Sequence, residues 1–140
     1  MKYRTVALLL TLVLAFGLYA MTRYTLNLTA DNQGYDAIDY VTLHGSVQHE
    51  HPASPVRPID VIGVYIHEGY ANSTMIELLR YLPKLRSVTI GPDYSGIPAG
   101  TPVDQLPKPS EIASADVEKI RDAFPTLQVN VAEFRTPDGA

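Results

Sequence analysis

A run of sixteen residues without a charge, Val6–Met21, is the feature that most restricts what this chain can fold into. Leucine dominates the run, and only Thr11 and Gly17 interrupt it, which is typical of a segment that partitions into hydrocarbon. The run has no polar face, so it does not have the pattern of an amphipathic helix that covers a soluble core. We therefore predict an N-terminal hydrophobic helix over residues 1–23 that acts as a signal anchor or a signal peptide.

The charges on either side of this run predict its orientation. Lys2 and Arg4 precede it, whereas Arg23 is the single cation that directly follows it. Cationic residues stay on the cytoplasmic side of a membrane segment. We therefore expect a single pass through residues 6–21, with the N-terminus cytoplasmic and residues 24–140 extracytoplasmic.

The fate of the segment after export has two readings. Its length from Thr5 to Thr22 is close to the minimum that spans a bilayer, which favours a retained anchor. Small residues at Ala15, Gly17 and Ala20 also provide tolerable contexts for signal cleavage. The alternative is therefore a protein that is secreted after the signal is removed.

The composition of the chain bounds its size and chemistry. A length of 140 residues with 46% hydrophobic and 19% charged residues is typical of one globular domain. The chain has no cysteine, which excludes disulfides, thiolate metal sites and thiol nucleophiles. The formal charge is −4, and loss of the two cations Lys2 and Arg4 takes it to −6. An acidic domain of this kind argues against a nucleic-acid partner.

Residues 24–58 show little regular periodicity. The alternation over Tyr24–Leu28 and the apolar run Tyr40–Leu43 suggest short strands. The stretch 44–58 carries three prolines and three histidines, which indicates a loop or linker. We predict an irregular or β cap that pairs with the edge of the first strand downstream, followed by a linker rich in proline and histidine.

Regular patterns follow over residues 59–134, where apolar strand-like runs alternate with helical stripes. Pro83 and Pro125 close the two helices, and 91–110 is a long loop rich in proline and glycine. Residues 135–140 are predicted to be a disordered tail. The predicted strands are Ile59–Ile66, Leu85–Ile90 and Leu127–Val131, and the helical stripes are Met75, Ile76, Leu79, Leu82 and then Val117, Ile120, Phe124.

An internal repeat is the clearest pattern in this region. A constant shift of 24 residues superposes the aliphatic positions of the first strand on those of the second. A third, degenerate copy begins at Leu127, where the spacing is one residue short. The superposed pairs are Val61 with Leu85, Val64 with Val88, Ile66 with Ile90 and Gly69 with Asp93.

With Leu82 included, the second copy resembles the leucine-rich repeat, in which a ladder of aliphatic residues flanks a short strand. Asp93 stands where that family usually has an asparagine. The resemblance implies an α/β fold in which short parallel strands alternate with helices in a leucine-rich-repeat-like βαβαβ layer, preceded by one N-terminal hydrophobic helix. An unrelated small α/β layer is the alternative, and it shares the parallel strands and the right-handed crossovers.

Three histidines form the one candidate metal cluster in the sequence: His44, His49 and His51. In an extended segment, His49 and His51 would point to the same side, as a zinc or copper site requires. The flanking prolines and the lack of a rigid element argue that this is a flexible polar linker, so we expect metal binding to be unlikely here. A metal-binding exported protein remains an alternative function.

No catalytic motif is present: the sequence has no nucleophile elbow, phosphate loop, zinc-protease helix or dinucleotide fingerprint. We therefore expect no enzymatic activity and no cofactor. A small enzyme with a site in the 91–110 loop is a further alternative, which the size of the domain disfavours.

Repeated parallel strands create a rigid exposed face, so we expect a membrane-tethered extracytoplasmic protein-interaction module with an unknown protein partner. The expected partner-binding residues are those that point outward from the strands or that follow them. They are Tyr65, His67, Arg86, Thr89, Asp93 and Tyr94.

Overall fold

The computed structural model describes residues 2–51 and 55–133 and has a mixed α/β architecture with one four-stranded sheet. A short 3-10 turn at Pro58–Asp60 precedes the second strand, and another lies at Val103–Gln105. The helices are α1 Lys2–Leu43, α2 Ser73–Leu79 and α3 Glu111–Ala123, and the strands are β1 Gly45–His49, β2 Val61–His67, β3 Ser87–Gly91 and β4 Gln128–Val131.

The strands lie in the order β1-β2-β3-β4, with β1 antiparallel to β2 and the other pairs parallel. Val64 lies beside Val88, and Ile66 lies beside Ile90, so the register between β2 and β3 repeats the shift of 24 residues seen in the sequence. Val129 lies beside Val88, which places the third copy in the same sheet. The three predicted parallel strands are confirmed, with bounds that move by one or two residues.

All three helices pack on one face of the sheet. Over Val64–His67 of β2 and Ser87–Ile90 of β3, buried aliphatic side chains alternate with half-buried polar ones, as expected for strands with one covered face. The covering helices each bury a stripe of small or aliphatic residues. The buried hydrophobic residues of the helices are Ala37, Ile38 and Val41 in α1, Met75 and Leu79 in α2, and Ala113, Val117 and Ile120 in α3.

Helix caps set where α2 and α3 begin. The side-chain oxygen of Asn72 accepts a hydrogen bond from the Met75 amide at 2.9 Å. The hydroxyl of Ser110 accepts one from the Ile112 amide at 3.2 Å. Each bond satisfies one of the free amides of the first turn.

The prediction of an irregular region over residues 24–58 is wrong for its first twenty residues. Helix α1 continues without a break to Leu43, so neither Tyr24–Leu28 nor Tyr40–Leu43 is a strand. The physical reason is the stripe at Gly34, Ala37, Ile38 and Val41, whose helical spacing allows α1 to cover the sheet. Short-range alternation was the weaker signal.

The expected cap at the edge of the first strand is present. Strand β1 lies within the predicted linker and pairs with β2 through five registered positions. Of the prolines in this stretch, Pro52 lies outside the described residues, as does the predicted tail at 135–140.

Helix α1 contains the one segment in the described part of the chain that is long and apolar enough to cross a membrane. The candidate helix extends over Thr5–Leu43, and its most apolar window has a mean hydropathy of 2.1. None of that window is buried against the rest of the protein. A core helix of a soluble protein would be mostly buried, so the features of this window are those of an anchor or a signal sequence.

Candidate partner-binding surface

The sheet has a second face that no helix in residues 2–51 and 55–133 covers. We call it the open face. Tyr65, Thr89 and Asn130 lie side by side across three strands, and Ser46 lies opposite Tyr65 on β1. A second polar row crosses the same face one step along each strand. The open face consists of Ser46, Gln48, Tyr65, Ser87, Thr89, Gln128 and Asn130, all of them exposed or half-buried.

Tyr65 is the largest side chain on the open face, and it is held in place at its tip. Its hydroxyl donates a hydrogen bond of 2.8 Å to the carbonyl oxygen of Pro92. Its ring centroid lies 6.4 Å from that of Tyr94 and 6.1 Å from that of His67. Burial of the phenol, with a smaller contribution from Tyr94, raises the pKa of Tyr65 well above its usual value. Tyr65 is therefore a fixed, neutral aromatic group.

An imidazole and a carboxylate meet at the carboxyl ends of β2 and β3. The Nε2 atom of His67 lies 3.5 Å from the Oδ1 atom of Asp93. The same Asp93 oxygen accepts a 2.8 Å hydrogen bond from the amide of Ser95. This main-chain bond, the hydroxyl of Ser95 and the nearby His67 together lower the pKa of Asp93. Asp93 thus caps its own turn and presents a negative charge beside the open face.

The long loop over residues 92–110 is closed by a hydrogen bond between its two halves, and its last residue is bonded to Glu68, which follows β2. The hydroxyl of Tyr94 donates to the Pro107 carbonyl at 3.1 Å. The carboxylate of Glu68 accepts hydrogen bonds from both the amide and the hydroxyl of Ser110 at 3.0 Å. These contacts hold the loop against the carboxyl ends of the parallel strands, where Tyr94 becomes the rim of the open face.

A cleft of about 300 Å³ lies between this rim and β1. Imidazole, phenol and hydroxyl groups line it, so it offers both donors and acceptors of hydrogen bonds together with aromatic surface. The lining residues are Gly45, Ser46, Tyr65, His67, Tyr94 and Ser95. Such a lining suits a polar or aromatic side chain of a partner better than a purely apolar ligand.

The structure brings together four of the six residues expected to bind a partner. Tyr65, His67, Asp93 and Tyr94 form one cluster at the carboxyl ends of the strands. Thr89 lies next to Tyr65 in the sheet. Arg86 is separate: it precedes β3, five residues before Gly91, which is about 16 Å along an extended strand.

The three histidines of the alternative metal site do not form a cluster. His44 precedes β1, where its ring stacks on Tyr70 with a centroid distance of 4.2 Å. His49 lies at the opposite end of β1, and its Nδ1 atom is 2.6 Å from the carbonyl oxygen of His51. The part of the chain that the structure describes has no group of three or more potential ligand side chains arranged to hold a metal ion.

Sequence reasoning missed the contribution of β1 and β4 to the open face. Ser46 and Gln48 fell within the predicted linker, although the polar, apolar, polar order over Ser46–Gln48 was a short strand signal. Asn130 was assigned to a strand, but its face could be known only from the register with Thr89.

Comparisons with known proteins add no family to this picture. No protein-family model, no curated protein and no solved structure matches the chain.

Proposed function

We propose that this protein is a membrane-tethered interaction module whose open face and Tyr94 rim bind a protein partner. The observation that carries the proposal is the asymmetry of the sheet: three helices cover one face, whereas the other is polar, half-exposed and without a covering element in the described ranges. Aromatic side chains held rigidly at the edge of such a face are common anchors in protein interfaces.

The dimensions of the open face limit the area that it can bury against a partner. Four strands spaced about 4.8 Å apart, each about five residues long, give a planar area of roughly 300 Å². A stable interface usually buries about 800 Å² on each partner. The partner must therefore also contact the rim formed by loop 92–110, or bind weakly.

The tether is the second part of the proposal. The exposed apolar window of α1 supports a segment that inserts into a bilayer. The cations Lys2 and Arg4 before this window, set against Arg23 after it, support a cytoplasmic N-terminus and an extracytoplasmic domain. Retention of the segment as an anchor is proposed ahead of cleavage because α1 carries on directly into the domain core.

We also propose that the β2 and β3 units derive from a leucine-rich-repeat-like pattern. The support is the register, in which residues 24 positions apart lie side by side. In this chain the carboxylate of Asp93 accepts a hydrogen bond from the amide of Ser95, two residues later. This local bond would replace the ladder of asparagine side chains that is typical of that family.

The binding face is tested by quantitative affinity capture of the tagged full chain from detergent-solubilised native membranes. Thr89→Lys places a long cation at the centre of the open face, and we expect it to reduce the captured partner about tenfold. Ser114→Lys is the matched control, because Ser114 is exposed on α3 on the other side of the sheet. Equal capture by the two variants would show that the open face is not the binding surface.

The tether is tested separately on the same membranes. The full chain should stay in the membrane pellet after alkaline carbonate extraction, and its intact mass should include residues 1–23. Release into the supernatant, or a mass that lacks these residues, would replace the anchor with a cleaved signal.

A further inference from the structure

The direction of α1 determines which end of the domain faces the membrane. Near residue 34 the helix lies against Pro58 and the carbonyl oxygen of Tyr81, both at the amino ends of the parallel strands. After α1 ends, the carbonyl oxygen of His44 accepts a hydrogen bond from the amide of His67, at the carboxyl end of β2. The apolar part of α1 therefore extends outward past the amino ends of the strands. We call this end of the domain the foot.

A crevice of about 410 Å³ separates α1 from the foot. Two arginines and two tyrosines line it above a floor of proline and isoleucine. Ile59 and Tyr35 remain 48% and 41% exposed, so the opening has both apolar and polar surface. The residues that matter for its chemistry are Asp31 and Tyr35 on α1, and Arg57, Ile59, Arg80 and Tyr81 on the foot.

Arg57 is held at the crevice with part of its guanidinium unused. Its Nε atom donates to Asp60 Oδ2 at 2.8 Å, and its Nη2 atom donates to Asp60 Oδ1 at 3.1 Å. A guanidinium has five N–H donors, so about three remain for another acceptor. The side chain of Arg57 is 61% exposed, whereas that of Asp60 is 7% exposed. Asp60 thus positions Arg57 and leaves its outer edge open.

Arg80 is more fully available. Its guanidinium carbon lies over the Phe124 ring, 5.1 Å from the ring centroid, in a cation–π contact. Its side chain has no hydrogen bond or ion pair with any other described residue. The one acidic side chain that lines the crevice is Asp31. Two arginines that line one partly apolar crevice fit an anionic group that carries an apolar portion.

The distance along α1 brings this crevice to the membrane surface. Ala30, which lines the crevice, is seven residues after Arg23, which follows the apolar run, and this corresponds to roughly 10 Å of helix. The headgroup layer on each side of a bilayer is about 5 to 8 Å thick. Long arginine side chains at the foot can reach across the remaining gap, and tyrosine is enriched at this depth.

We propose that the crevice between α1 and the foot binds the headgroup of an anionic phospholipid, with Arg57 and Arg80 holding its phosphate. This inference rests on the proposed membrane tether. The lipid supplies an apolar portion for the Ile59 and Pro83 floor and a negative charge for the arginines. Binding would clamp the foot to the bilayer and fix the tilt of the domain above it.

The test uses the purified full chain in a non-ionic detergent, mixed with phosphatidylglycerol or with phosphatidylcholine of the same acyl chains. Native mass spectrometry measures how much of each lipid stays bound. We expect one phosphatidylglycerol per chain, retained about tenfold more than phosphatidylcholine. Excess inorganic phosphate should not displace it, because the free ion lacks the apolar portion.

Three variants separate a defined site from general charge attraction. Arg80→Gln should reduce the retention of phosphatidylglycerol to that of phosphatidylcholine. Arg86→Gln is the matched control, since it removes an exposed cation from the same end of the molecule but outside the crevice. Asp31→Asn should increase retention, and a gain of binding cannot arise from misfolding.

The possible failures have distinct signatures. Equal loss with Arg80→Gln and Arg86→Gln, or equal retention of the two lipids, would overturn the lipid site while leaving the tether intact. Displacement by inorganic phosphate would mean that the crevice recognises a free anion, which also contradicts the proposal. A full chain that fails to insert into phospholipid vesicles would overturn both the tether and this inference.

Discussion

Gly34 of α1 faces the ring of Pro58 so closely that a Cβ atom at position 34 would lie 2.6 Å from the proline Cβ and Cγ atoms. The Tyr81 carbonyl oxygen would lie 3.1 Å from the same Cβ atom. The helix that carries the apolar run therefore meets the α/β domain at a point where only glycine fits. Pro58 has a rigid ring, so it cannot move aside as a flexible side chain would.

This contact predicts the effect of a single methyl group. Gly34→Ala should lower the free energy of unfolding of the domain by about 1–2 kcal/mol, because the strain of the close contact exceeds the gain in helix propensity. Urea unfolding of the full chain in detergent, followed by circular dichroism, measures this change. Gly17→Ala in the same helix is the control, since a Cβ atom there has no neighbour within 4 Å. A Gly34→Ala variant as stable as the control would contradict the contact.

The raised pKa of Tyr65 predicts a loss of stability in alkaline solution. Its phenol keeps the proton in the folded state at a pH where the unfolded chain has lost it, so the unfolded state binds fewer protons. The free energy of unfolding should therefore fall as the pH rises above about 10. Tyr65→Phe should make this decline shallower, as measured by urea unfolding at several pH values.

The same substitution has an effect at neutral pH. Tyr65→Phe removes the hydrogen bond to the Pro92 carbonyl and should cost about 1 kcal/mol. Tyr70→Phe removes an exposed phenol hydroxyl and should cost less than about 0.5 kcal/mol. If the two variants had the same stability and the same alkaline decline, Tyr65 would not be held as described.

Protonation of Asp60 should lower the stability of the folded domain in acid solution. The Arg57 guanidinium lowers the pKa of the Asp60 carboxyl, so as the pH falls below about 4 the unfolded chain takes up the proton first. Stability is then lost progressively with falling pH. Asp60→Asn should lower the urea midpoint at neutral pH and flatten this acid decline. Asp122→Asn, which alters an exposed carboxylate on α3, should do neither. An unchanged acid decline in Asp60→Asn would refute the role of the pair.

Replacement of Asp116 should cause a larger loss of stability. Its side chain is 1% exposed, and its carboxylate accepts hydrogen bonds from the Gly69 amide at 2.7 Å and the Lys119 ammonium at 2.8 Å. Asp116→Ala leaves the Gly69 amide without this partner, which should cost about 1–3 kcal/mol. Lys119→Ala removes only a half-exposed partner and should cost about 0–1 kcal/mol. Thermal unfolding of both variants checks the order, and the reverse order would contradict it.

The strands of the α/β layer were predictable because their signal is repeated. The pairs Val64 with Val88 and Ile66 with Ile90 recur at one constant shift, and a parallel register turns that shift into direct neighbours. The covered face of the sheet followed from the alternation of aliphatic with polar residues over Val64–His67 and Ser87–Ile90. Agreement between two copies gave more information than either copy alone.

The C-terminal half of α1 was not predictable in the same way. Its buried stripe consists of small residues such as Gly34 and Ala37 between polar ones, so the hydrophobic periodicity is weak. Its stability as a helix comes from packing on the sheet, which a local pattern does not contain. The short alternation over Tyr24–Leu28 therefore led to the prediction of a strand. The stripe that stabilises the helix by packing on the sheet was too weak a pattern in the sequence to correct this prediction.

The candidate site also has a part that the sequence predicts and a part that depends on tertiary contacts. Tyr65, Asp93 and Tyr94 were expected to lie near one another because they follow or point out of neighbouring predicted strands, and the structure brings them together. Arg86 was grouped with them because it lies on the predicted strand Leu85–Ile90, but the structure places it before the amino end of β3, away from Asp93 and Tyr94. The crevice at the foot was not predicted at all, since it needs α1 to lie beside Pro58 and Arg80.

With the proposed membrane tether in place, the unbroken course of α1 sets how the domain is rotated about the membrane normal. Each residue of a helix adds about 100° of rotation and 1.5 Å of rise. The number of residues between the apolar run and Gly34 therefore sets the rotation of the sheet relative to the apolar run. Insertion of one alanine between Thr25 and Thr29 would turn the open face by about 100°, whereas seven would return it to within about 20° of its original heading. For the proposed interaction module, the number of residues in this helix would therefore determine the direction in which the open face points within the membrane plane.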